Sequence, residues 1–157
     1  MIPEEFLTMA RTYRVLSELD PAQLRKLLPI AQERYYAGGQ ILFKECDKSS
    51  FFHLILSGDV ALEETAGNKT VRVQTLHPGD AMGWSALTEE AQTHFQARAL
   101  TPVTTVAFPA EKIRNACNCD PAMGYAFMKR LLDVVTERLD ATRMQLAERN
   151  GSPAPAH

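Results

Sequence analysis

The sequence predicts a mainly β protein: a jelly roll (double-stranded β-helix) flanked by short N-terminal helices and one long C-terminal helix. Three observations lead there. Short segments of period-two alternation, punctuated by turn residues, fill the middle of the chain. Helix-start signals bracket that region on both sides. The last zone runs from Ala122 to Arg149 without a proline, with apolar residues at heptad spacing.

The N-terminal zone, residues 1–30, is helical in pattern. In LDPAQLRKLLPIAQ, Asp20 can cap the first free amides, and Pro21 occupies the first helical position, where a missing N–H does no harm. Leu24, Leu27 and Leu28 then share a face.

Residues 31–108 are expected to hold the strands. Gly38-Gly39, Ser57-Gly58-Asp59, Gly67-Asn68 and Pro78-Gly79-Asp80 mark the turns. Between them Phe52, Leu54 and Leu56 alternate with His53 and Ile55, and Val71, Val73 and Thr75 with Arg72 and Gln74. Many short strands without long helices between them point to a sandwich that closes on itself and so protects its edges.

From 109 to 149 the pattern is helical again. PAEKIRNAC forms a short helix, and Asp120-Pro121 repeats the earlier start signal. In the helix that follows, Tyr125, Met128, Leu132, Val135, Leu139, Thr142 and Leu146 recur at alternating steps of three and four, a heptad seam. A second stripe of Phe127, Leu131 and Val134 ends early and is assigned to packing on the barrel. The seam is assigned to a twin helix, because it would otherwise leave an apolar stripe in water. Residues 1–149 are expected to be one domain, and the small, breaker-rich 150–157 a tail.

Composition narrows the function. Of 157 residues, 45% are hydrophobic, enough for a self-sufficient core. Lys+Arg total 17 against Asp+Glu 19, a net charge of −2 that argues against a nucleic-acid partner. The three cysteines, Cys46, Cys117 and Cys119, form no Cys-x-x-Cys pair. With no signal-peptide core and no stretch near the roughly 18 apolar residues of a span, a cytoplasmic, non-membrane protein is expected.

Two stretches carry a resemblance: GGQILFKECDKSSFFHLILSGDVALEE and LHPGDAMGWSAL. With the order of helices and strands, they resemble the cyclic-nucleotide-binding domain of the catabolite-activator and redox-regulator superfamily, from about Asp20 to Leu146. The resemblance implies a phosphate-binding cassette. There a glycine turn opens a short helix whose amides face the phosphodiester, an acidic residue binds the ribose, and an arginine plus a small hydroxylated residue hold the phosphate. Here Gly83 matches the glycine, and Trp84 stands in the acidic place. Ser85 and Ala86 continue the cassette, Thr93 takes the arginine place and His94 the place of the hydroxyl. Counting from Arg138-Leu139, Thr142 falls where the family's helix contacts the base.

The cassette so defined is degenerate. Losing the arginine and the ribose carboxylate should weaken nucleotide binding by roughly two to four orders of magnitude. Arg98 cannot substitute, since it lies about 16 Å along the strand and on the opposite face. His94 is mostly neutral at cytosolic pH. The Trp84 indole either plugs the cavity or stacks on a flat or apolar ligand. No cation is therefore expected inside the barrel.

Other chemistry finds less support. His53, His77 and His94 lack the His-x-His spacing of jelly-roll metal enzymes and are read as structural, so no metal or other cofactor is expected. Cys117 and Cys119 are read as buried, inert thiols. No nucleophile, Walker or dinucleotide motif is present, so no enzyme activity is expected. After the long helix too few residues follow for a helix-turn-helix module, so operator binding by this chain alone is not expected. The expectation is a homodimeric regulatory module that works through a protein partner or a different ligand. A cyclic AMP or cyclic GMP sensor is the alternative, and a cupin-like metal enzyme a distant third.

Overall fold

The computed structural model describes residues 3–46, 50–88 and 95–149. Helix α1 (Pro3–Ala10) buries Phe6 and Ala10, and a 3₁₀ turn over Arg14–Leu16 buries Val15 and Leu16. Helix α2 (Pro21–Leu27) starts as predicted. The Asp20 carboxylate accepts from the Gln23 amide at 2.8 Å, and the Asp20 amide donates to the Gln23 side chain at 3.0 Å. This reciprocal cap satisfies two of the amides that every helix start leaves free. Leu24 and Leu27 are buried, whereas Leu28 already belongs to a 3₁₀ turn and is half-buried. Pro29 cannot continue an α-helical ladder, which turns Leu28 off the shared face.

Eight strands follow: β1 (Gln32–Tyr36), β2 (Ile41–Phe43), β3 (Phe51–Ser57), β4 (Val60–Ala66), β5 (Lys69–Leu76), β6 (Ala81–Met82), β7 (Gln96–Ala99) and β8 (Val103–Pro109). They make two antiparallel four-stranded sheets, ordered β1-β8-β3-β6 and β2-β7-β4-β5. Apart from the β4–β5 hairpin, chain neighbours thus cross between sheets, the jelly roll that the turn spacing predicted.

The alternation in β3 does not separate core from solvent. Phe52, His53, Leu54 and Ile55 are all buried. Phe52 and Leu54 pack with α1, α2 and the C-terminal helices, while Ile55 joins Val60, Leu62, Leu76, Met82, Ala97, Ala99 and Val103 between the sheets. The sheet containing β3 is covered on both faces, so period two here distinguishes one core from another.

Helix α3 (Ala110–Cys119) leads into α4 (Pro121–Arg149). Asp120 accepts from the Met123 amide at 3.2 Å and pairs with Lys26 at 2.8 Å, which holds its carboxyl below the usual range. Further along, Glu137 pairs with Arg14 at 2.7 Å, and both Lys129 and Arg130 with Glu18, so among the described residues four ion pairs tie α4 and its capping Asp120 to the N-terminal segment.

On α4, Met123, Phe127 and Leu131 are buried, and Val134 packs beside them. The seam residues mostly face outward: Tyr125 is 72% exposed, Leu132 65%, Leu139 58% and Leu146 58%. Met128 is also exposed, while Val135 and Thr142 are half-buried. One cysteine assignment is corrected. Cys117 is half-buried, with its thiol pushed up by burial, but Cys119 is exposed, because α3 ends there and its last turn is uncovered.

Candidate functional site

Strand β6 pairs with β3 through His53–Met82 and Leu54–Ala81, and the chain must then turn at once. Gly83 does so with φ of +82°, and a methyl group there would lie 2.6 Å from the Phe51 carbonyl oxygen. Left-handed backbone and close approach both demand glycine. Gly83 opens a 3₁₀ turn, Trp84–Leu87, in which the Ala86 amide donates to the Gly83 carbonyl at 3.1 Å. Arg114 of α3 fixes the far end by donating to the Ala86 carbonyl at 2.6 Å. Ser85 and Ala86 are buried. Thr93 and His94 lie outside the described residues.

Beside this turn is a cavity of about 310 Å³, its mouth included. Phe43, Leu62, Met82, Trp84 and Phe95 give it apolar walls, with Gly83 and Ser85 at the turn. Among the described residues, Arg138 is the only charged side chain lining it. That overturns the expectation of a barrel without a cation, and with it the early end of the inner stripe. Phe127, Leu131, Val134 and Arg138 follow one another by four, three and four residues, so the stripe continues but changes chemistry. The physical reason is that a guanidinium on an aliphatic stem can be buried when an aromatic face receives it.

Trp84 provides that face. The guanidinium carbon of Arg138 sits 4.4 Å from the centre of the Trp84 ring. Arg138 is only 7% exposed, and its Nη2 donates to the Ala81 carbonyl at 2.7 Å. Its Nη1 is buried and has no hydrogen-bond partner. Burial lowers the Arg138 pKa to about 10, opposed by the charge of Asp80, so it remains protonated at neutral pH. Asp80 belongs to a second cleft on the other side of Arg138, lined also by Tyr13, Arg14 and Glu137. The sequence offered Trp84 as a plug or as a platform for a ligand. In the structure it is a platform for a cation of its own chain.

The other predicted residues separate. Thr142 lies one turn past Arg138, returns its hydroxyl to the Arg138 carbonyl at 2.9 Å, and is not on the cavity wall. Arg98 pairs with Glu63 at 3.1 Å and likewise does not line the cavity. His53 is buried behind Gly83, its Nδ1 3.2 Å from the Thr105 hydroxyl, and burial lowers its pKa to about 4. His77 lies 2.8 Å from Asp59 in an exposed turn. Among the described residues no three His, Cys, Asp or Glu side chains converge as metal ligands would, and no helix is long and apolar enough to cross a membrane.

A family model described as the cyclic nucleotide-binding domain matches residues 33–120. A Geobacter metallireducens GS-15 structure, described as a candidate cyclic nucleotide-binding protein, is 30% identical over 88% of this chain and 99% of its own, with a TM-score of 0.75. The Thermus thermophilus catabolite activator protein is 22% identical over 87% of this chain and 63% of its own, with a TM-score of 0.72. The regulatory subunit of a cAMP-independent protein kinase A from Trypanosoma brucei is 15% identical over 93% of this chain and 51% of its own, with a TM-score of 0.72. No curated protein matches. With more than half of the chain matched by the family model and a relative of 30% identity covered almost end to end, this chain belongs to the cyclic nucleotide-binding domain family.

Proposed function

We propose that this domain is a non-catalytic regulatory module, dimeric through α4, that answers to a ligand or protein partner other than tightly bound cyclic AMP. Regulation and sensing are the family's role. The observation that carries the finer reading is the stack of Trp84 on Arg138. Where a carboxylate would accept hydrogen bonds from ribose hydroxyls, an indole offers one N–H donor and no acceptor. With Thr93 in the arginine place, the phosphodiester also loses its charge-assisted bond, roughly 1.5–3 kcal/mol.

For the dimer, the support is the heptad spacing together with exposed Leu132, Leu139 and Leu146 on one helix.

A second reading, a cyclic AMP or cyclic GMP sensor, is favoured by one observation: the cation Arg138 lines the cavity with Nη1 unpartnered. Titration calorimetry separates the two. The proposal expects no heat from either nucleotide at millimolar concentration, and micromolar binding of one of them establishes the sensor instead.

A further inference from the structure

Arg138 is the group whose requirements the fold leaves unmet. One guanidinium nitrogen bonds to the Ala81 carbonyl, one face rests on Trp84, and Nη1 is buried without a partner. Among the described residues Arg138 forms no ion pair, and Asp80 acts on it only through space. A buried cation with neither counter-ion nor full hydrogen bonding is a state that folded proteins rarely keep without use for it. Since Trp84 covers the face of the guanidinium, the unused donor lies on its edge. The edge is where a planar two-oxygen head fits best.

The remaining wall defines the rest of the ligand. Among the described residues Phe43, Leu62, Met82, Phe95 and Trp84 offer apolar and aromatic surface, and the one positive charge there balances a single negative one. Sugar hydroxyls would find few partners on that wall and would be desolvated without return. Only about 20 Å³ of the cavity is open to the centres of water-sized spheres, against about 10–15 Å³ for a single water, so it admits only a small ligand whose body extends into the open mouth. We infer that the barrel cavity binds a small organic monocarboxylate with a flat apolar body, its carboxylate on Arg138 and its ring among Trp84, Phe43 and Phe95. This rests on the reading of a ligand-responsive domain and names its ligand class.

The chain contains one tryptophan, so its intrinsic fluorescence reports on Trp84 alone. The unaltered protein is titrated with phenylacetate and with phenylacetamide, which keeps the shape and lacks the charge. A saturable change with phenylacetate is expected, with the amide bound about tenfold or more weakly. Arg138→Gln, checked for fold by circular dichroism, should abolish the preference for the acid. Should that variant not fold, the acid–amide comparison on the unaltered protein decides alone. No saturable response to phenylacetate up to about 10 mM overturns the inference, as does equal binding of acid and amide. An acid preference retained in folded Arg138→Gln overturns it too. Cyclic AMP runs in parallel: micromolar binding sinks the broader proposal, whereas failure of phenylacetate alone sinks only the ligand class.

Discussion

Replacing Gly83 by alanine tests how the cassette is held. The substitution carries two costs. An L-residue at a φ of +82° is disfavoured by roughly 1–2 kcal/mol. The new methyl group would also stand 2.6 Å from the Phe51 carbonyl oxygen, an overlap that backbone must relieve at about 1–3 kcal/mol. Together they predict a loss of about 2–5 kcal/mol, which in a domain of this size lowers Tm by roughly 5–15 °C. Gly67 is the internal control. Its φ is +65°, but nothing lies within 4 Å of a methyl group there, so Gly67→Ala should lose only about 1–2 kcal/mol. Urea titrations of both variants measure the difference. Relief of the overlap moves the cassette away from β3, so Trp84 emission should shift in Gly83→Ala and stay put in Gly67→Ala. Equal losses with unchanged emission in both variants would refute the idea that contact with Phe51 positions the cassette.

Three further outcomes are expected. Leu139→Glu should yield a folded monomer by sedimentation velocity; a symmetric seam loses the leucine twice, about 2–4 kcal/mol in all, and a persisting dimer would show that the interface lies elsewhere. Trp84→Glu combined with Thr93→Arg restores both charged places of the cassette and should strengthen cyclic AMP binding by about a hundredfold or more in calorimetry; no gain would place the defect outside those two positions. His53 has its pKa lowered by burial from 6.5 to about 4. Between those values the unfolded chain binds the extra proton, so stability is complete above pH about 6.5 and falls by about 3 kcal/mol as pH drops to about 4. In His53→Gln this slope should vanish from urea midpoints measured between pH 7 and 4.5, and an unchanged slope would assign it to other groups.

What the sequence disclosed follows from the range of the interactions involved. Asp20-Pro21 and Asp120-Pro121 announced their helices because a cap bonds to an amide three residues away. Gly83 was legible because the turn after β6 needs a positive φ. Arg138 is not legible as part of the inner stripe because hydrophobic periodicity registers apolar side chains only, although its spacing from Val134 fits. Its solvent is an indole on a distant segment, which spacing along α4 cannot reveal. The cavity walls were hidden for a similar reason. Phe43, Leu62 and Phe95 come from separate parts of the chain, and the order β2-β7-β4 within one sheet brings them together. The double burial of β3 is not legible in the sequence because alternation reports two faces without saying what covers either.

Beyond the stacked guanidinium, α4 runs on for eleven residues to Arg149, a length of about 16 Å. Pivoted at Arg138, a tilt of only about 10° would swing that tip by about 3 Å. A rigid helix is a lever, so any tilt set beside that one aromatic ring would be largest at its far end.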